Sequence, residues 1–167
     1  MSLDEGNSLK AQSSDLAYLV YEARPLYDSW LKLLLGGTLA FTLFLGIGLL
    51  SVNLVGAEVA LAATAFDALL FHATLPRRYQ IFSDRVRIVL GRPFAVNIAL
   101  STIREARPAS SAKAFAYWGI RFATSSRSVV EIVRSKGWNV VISPANRDLF
   151  LDQMTQVLRP ISEKRPI

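Results

Sequence analysis

The sequence predicts an α+β protein in two parts: a pair of membrane-spanning helices, then one small domain of antiparallel strands closed by a C-terminal helix. Three observations predict it. Two apolar runs, Leu31 to Leu54 and Val59 to Leu75, stand almost end to end. From Tyr79 onward apolar residues alternate with a period of two, the mark of half-buried strands. Near the end, Phe150, Met154, Val157 and Leu158 fall at helical spacing and share one face.

A spanning helix needs about 20 mostly apolar residues to cross a hydrocarbon core of about 30 Å. The first run exceeds that length with Lys32 as its one charge, and the second is nearer the lower limit of about 17 and carries Asp67. Joined by Val55-Gly56-Ala57-Glu58, they predict a transmembrane hairpin over 29–76, with helices near 30–53 and 58–75. Gly36 and Ala40, four apart, form a small pair that would let two helices approach closely. On the second helix Ala57, Ala60, Thr64, Asp67, Ala68 and Phe71 make one stripe, opposite Val59, Ala62, Phe66, Leu69, Leu70 and Ala73. The first stripe is small and polar, the second suited to lipid.

A carboxyl group inside a bilayer is costly, which makes Asp67 the outstanding residue of the hairpin. Three roles are open to it: a hydrogen bond tying the helices together, an oligomer contact, or a step in transport. The first is expected, because no second ionisable group stands at that depth. Thr38 or Thr42 lies at about the right level to partner it, and Thr64 shares its stripe. His72, one turn from the end, reads as an interfacial or packing residue.

Ahead of the hairpin, residues 1–28 read as a tail and interfacial segment. Met1 to Ser14 is polar and weakly patterned, with disorder expected. It lacks the basic start and cleavage pattern of a signal peptide. From Asp15 to Trp30, Tyr18, Tyr21, Tyr27 and Trp30 fit an aromatic belt at headgroup level, and they fit packing on the following domain equally well. Pro25 argues against one unbroken helix there.

The net charge of +6 is unevenly spread. The tail is acidic, the hairpin loop carries no Lys or Arg, and Arg77 and Arg78 directly follow the second run. Basic residues beside a span stay in the cytoplasm, so both termini are expected there, in a multi-pass protein of the cell membrane. With no cysteine and a single histidine, His72, disulfides, thiolate metal sites and multi-histidine metal centres are excluded.

Seven strands are expected after the hairpin. Ile81 lies in the first, and Val86, Ile88 and Leu90 form the second after a Ser83-Asp84 turn. Phe94 to Leu100 follows, then a short strand from Ile103, Tyr117 to Thr124, Val129 to Arg134, and Trp138 to Ile142. Ser143-Pro144 supplies a helix start, a capping hydroxyl ahead of a proline, and Arg159-Pro160 an end. A tail covers 161–167.

The order of Tyr79-Gln80-Ile81, Ile88-Val89-Leu90-Gly91, Asn97 to Ile103, Trp118-Gly119-Ile120-Arg121 and Val141-Ile142-Ser143-Pro144 before Phe150-Leu151 resembles the bacterial pleckstrin-homology-like domains. That family often sets such domains beside transmembrane helices. The resemblance covers roughly Arg77 to Leu158, within a domain expected over 77–160, and implies a split barrel capped by a helix, used for binding or assembly, without implying a ligand or an enzyme activity.

Neither GxxxxGK[ST] nor GxGxxG occurs, and no paired carboxylates stand out, so no catalytic, metal or cofactor-binding residue is proposed and no enzyme is expected. A tethered basic domain without a recognition helix or zinc motif argues against nucleic acid. Membrane lipids with anionic headgroups fit better, through Arg77, Arg78, Arg85, Arg87 and Arg92. The expected function is a non-catalytic binding or assembly module, with a protein partner or a second copy meeting the hairpin. The alternative is an accessory or regulatory subunit of a membrane transporter or signalling complex.

Overall fold

The computed structural model describes residues 17–163. The expected disordered stretch up to Ser14 and the last four residues of the expected C-terminal tail lie outside them. The elements run β1 (Leu19–Ala23), α1 (Ser29–Leu49), α2 (Leu54–Thr74), β2 (Arg78–Phe82), β3 (Arg85–Val89), β4 (Ala95–Ala99), β5 (Ile103–Pro108), β6 (Ile120–Phe122), β7 (Val130–Arg134), β8 (Val140–Ile142) and α3 (Arg147–Glu163).

Helices α1 and α2 have 21 residues each, about 32 Å at 1.5 Å per residue, and both are long and apolar enough to cross a membrane. Their outer faces carry Leu33, Phe41, Phe44, Val59, Phe66 and Leu69, all exposed. The connection is Leu50 to Asn53, earlier than the expected 55–58, because Asn53 caps α2 by accepting from the Gly56 N–H at 3.0 Å. Val55 and Glu58 therefore lie within α2. Ala57 and Ala60 face α1 and are buried, as the small stripe predicted. The close approach falls at Gly46, where a Cβ would meet Leu61 Cδ2 at 2.8 Å, and not at Gly36, which has nothing within 4 Å.

The β domain has two four-stranded sheets, ordered β1-β2-β3-β4 and β5-β7-β8-β6. Among the described residues the seven strands expected after the hairpin are all present, as β2 to β8, and an eighth joins them. The added one is β1, from the segment read as a tail, which pairs antiparallel with β2 (Tyr21 opposite Ile81, Ala23 opposite Tyr79). The whole hairpin is thus inserted between two neighbouring strands of one sheet. The all-antiparallel expectation also fails at one place, since β6 pairs with β8 in parallel, Ile120 opposite Val140. Neither sheet closes into a barrel.

One core lies between the sheets. Tyr79, Ile81, Val86, Ile88 and Ile98 come from the first, Ile103, Val130, Ile132, Val140 and Ile142 from the second, with Phe150 and Met154 of α3 closing it. Val157 and Leu158 pack against its rim, so the apolar face of α3 is the predicted one. Its start differs: Asn146 caps it, accepting from the Leu149 N–H at 3.1 Å. The Ser143 hydroxyl instead accepts from the Thr124 and Ser125 N–H groups. The helix continues through Pro160 to Glu163. Tyr21 meets Phe150 edge-on at 6.4 Å, so this aromatic of the N-terminal segment packs on the domain and not at headgroup level.

Candidate functional site at the base of the hairpin

The chain enters the hairpin along a path held on every residue. The Arg24 carbonyl accepts from the Ala145 N–H (2.8 Å), Pro25 bridges to Pro144, and the Leu26 N–H donates to the Ser143 carbonyl (2.8 Å). The Leu26 carbonyl accepts from the Thr124 hydroxyl at 2.6 Å. Tyr27 donates its hydroxyl to the Pro76 carbonyl at 2.5 Å, joining the entry strand to the exit strand, and burial raises its pKa against the lowering effect of Arg77.

Asp28 closes this path. Its backbone carbonyl accepts from Leu31 and Lys32, opening α1, while its buried carboxylate turns the other way. It accepts from the Ser125 hydroxyl (2.6 Å), the Ser126 N–H (2.8 Å), the Ser126 hydroxyl (2.9 Å) and the Trp30 indole N–H (3.4 Å). Ser125 first, then the Ser126 backbone, hold its pKa down at about 2. The first apolar helix is thereby fastened to the β6–β7 loop. A small cavity of about 230 Å³ lies beside this joint, between Trp30, Thr74, Phe115 and Arg121.

A larger groove of about 800 Å³ opens where β1 and β2 meet the last turn of α2. Its rim holds Arg24, Arg77 and Arg78, and its apolar wall is Phe71 and Leu75. Glu22, the one acid lining it, is engaged by Arg78 (3.1 Å) and Gln80 (2.7 Å). Arg77 lies 2.9 Å from His72 Nδ1. Among the described residues no carboxylate meets Arg24 or Arg77.

The five arginines singled out in the sequence are separated by this geometry. Arg77 and Arg78 line the groove. Arg92 stays at the same end, because its neighbour Gly91 sits on α2, where an added Cβ would fall 1.7 Å from the His72 carbonyl oxygen. Arg87 lies mid-strand opposite Gln80, and Arg85 lies at the opposite end, bonded to Asp84 at 3.3 Å and over the Phe82 ring. Arg24 carries no such signal in the sequence, because only the β1–β2 pairing brings it beside residues that follow the hairpin.

Inside the hairpin, the Thr42 hydroxyl accepts across the helices from the Thr64 hydroxyl at 2.9 Å, and Thr38 donates back to the Leu34 carbonyl. Neither threonine reaches Asp67, which has no hydrogen-bond partner among the described residues. The helix tie expected of Asp67 is made by the two threonines instead, because Thr64 stands one turn nearer the loop, level with Thr42.

Two further features lie on the second sheet. Buried Glu131 accepts from Lys113 (2.7 Å), Tyr117 (2.7 Å) and Arg107 (2.9 Å), pinning the β5–β6 connection to the outer face of the sheet. Burial opposes its charge, but these three donors bring its pKa down to about 2, while burial and Glu131 push Tyr117 up to about 12. At the end away from the hairpin, Trp118 and Trp138 are exposed, at 91% and 59%. Among the described residues no three His, Cys, Asp or Glu side chains gather as metal ligands would. No known family, characterised protein or solved structure matches this chain.

Proposed function

We propose that this chain is an integral membrane protein that holds a pleckstrin-homology-like domain against the cytoplasmic face of the cell membrane, as a non-catalytic binding or assembly module. One observation carries the reading: two helices of spanning length leave and re-enter one sheet at adjacent, paired strands. A domain attached at two neighbouring points, and locked to α1 through Asp28, is held in a fixed pose at the bilayer surface. The pairing of β1 with β2 also requires both to lie on one side, which supports an even number of crossings. The basic excess after the hairpin supports the cytoplasmic side.

The antiparallel sheets and the C-terminal helix over the core support the pleckstrin-homology-like reading, and the parallel β6–β8 pair departs from it. A second reading, an accessory or regulatory subunit of a transporter or signalling complex, is favoured by Asp67, a carboxyl group in a spanning helix without a hydrogen-bond partner among the described residues.

Because the chain has no cysteine, single cysteines can be placed without background. In intact cells a membrane-impermeant maleimide should label Ser51→Cys in the hairpin connection and spare Lys136→Cys in the domain until the membrane is opened. Labelling in the reverse order would overturn the orientation, and labelling of both in intact cells would overturn the location.

A further inference from the structure

We infer that the groove between Arg24 and Arg77 holds one anionic phospholipid of the adjoining leaflet, its phosphate between the two guanidinium groups and its acyl chains along Phe71 and Leu75. This deepens the proposed function and rests on the hairpin spanning the bilayer. Position comes first. The groove is formed by the last turn of α2 and the first residues after it, the level at which a spanning helix passes from acyl chains to headgroups. Its polarity follows the same gradient, with phenylalanine and leucine on the helix and arginines beyond its end.

Charge comes second. Among the described residues the one acid of the groove is held by Arg78 and Gln80, and neither Arg24 nor Arg77 meets a carboxylate. Guanidinium is planar, stays charged and binds phosphate through paired N–H donors, so two such groups on one rim form a clamp for a phosphodiester. One guanidinium nitrogen of Arg77 lies 2.9 Å from His72 Nδ1, which holds the side chain against the end of α2. Arg24 is held by its backbone, through the bond from Ala145 to its carbonyl. The two arginines come from either side of the hairpin, so the clamp exists only when β1 and β2 are paired. Arg85 and Arg87 contribute nothing to it, being placed along β3 away from the groove.

The test uses the full chain in nanodiscs of equal parts phosphatidylglycerol and phosphatidylcholine, followed by detergent release and native mass spectrometry of the lipid retained. The parent should retain phosphatidylglycerol in preference. Arg24→Gln with Arg77→Gln should lower that preference by roughly tenfold, towards parity. Arg85→Gln with Arg87→Gln should leave it unchanged. Equal retention by the groove variant and the parent would overturn the site, as would an equal loss in the Arg85 and Arg87 variant, which would show diffuse charge. Displacement of the lipid by millimolar inorganic phosphate would assign the clamp to free phosphate. Extraction of the parent from membranes by alkaline carbonate would overturn the spanning hairpin as well, and so separates failure of the underlying reading from failure of the site. Both arginines are exposed, so the groove variant should melt with the parent.

Discussion

Replacing Asp28 by Asn tests the joint between the hairpin and the domain. The carboxylate accepts four hydrogen bonds, from Ser125, from Ser126 twice and from Trp30, and it is buried. Asn keeps one accepting oxygen and places an NH2 group where the second oxygen stood. One carboxylate oxygen takes the Ser126 N–H, the Ser126 hydroxyl and the Trp30 indole N–H, so the amide oxygen belongs there, and the NH2 group meets only the Ser125 hydroxyl, which can turn to accept from it. What is lost is the charge-assisted strength of the bonds, since a hydrogen bond to an ionised acceptor is roughly twice as strong as a neutral one. The expected loss is about 2 kcal/mol, or roughly 4–8 °C in the melting temperature of the detergent-solubilised protein. The pH dependence gives a second readout. Folding lowers the Asp28 pKa from 3.8 to about 2, so its share of stability is present above 3.8 and is lost as the pH falls towards 2. That share is roughly 2 kcal/mol, and the Asn variant should show a correspondingly shallower fall between pH 5 and 2. A variant that melts within about 1 °C of the parent, with an unchanged acid limb, would refute the claim that Asp28 fastens α1 to the domain.

Glu131→Ala should free the β5–β6 connection. Since Arg107 and Lys113 are partly exposed and rehydrate easily, the global cost should be only about 1–2 kcal/mol, with faster tryptic cleavage after Lys113 as the direct sign. Lowering the pH from about 4.5 towards 2 should likewise open the β5–β6 connection of the parent to an acid-active protease, because protonation of Glu131 withdraws its support in that window. Gly91→Ala drives a methyl group into the His72 carbonyl and should destabilise the protein by about 1–3 kcal/mol or more, whereas Gly48→Ala, facing open space, should not; equal melting of the two would refute the contact. Asp67→Leu should leave the hairpin at least as stable in detergent, since no hydrogen-bond partner among the described residues is lost and an aspartate at helix centre costs about 2.5–3.5 kcal/mol to insert. A looser hairpin would refute that, and loss of a co-purifying membrane protein would favour the subunit reading.

What the sequence made legible follows the range of its signals. Apolar length located both helices, and alternation located β2 to β4 and β7, because each depends on residues close together. The helix break was misplaced by several residues, since Val52, Val55 and Val59 are all apolar and only the capping preference of Asn53 marks the turn. Strand β1 was missed for a different reason. Leu19 and Tyr21 are partnered by Phe82 and Ile81 on the far side of the hairpin, and no local pattern crosses it. The candidate groove shares that fate: Arg77 and Arg78 stood out as juxtamembrane charges, but Arg24 joins them only through the β1–β2 pairing. Asp67 was assigned a threonine partner by depth alone, and a single helical turn decided that Thr64 took it.

The placement of the hairpin between β1 and β2 has a consequence for how the protein is made. On the ribosome β1 emerges first and has no partner until residues 24–77 have been synthesised, a delay of seconds at about 5–20 residues per second. Throughout that interval both helices must enter the membrane and turn back. If the second helix failed to cross, β2 would emerge on the side opposite β1, the first sheet would lack its edge strand, and Asp28 would have no serines to meet. Completion of the domain therefore reads out whether insertion was correct. A mis-inserted chain would leave Tyr79, Ile81 and Phe150 short of their cover, exposing apolar surface of the kind that quality-control proteases recognise.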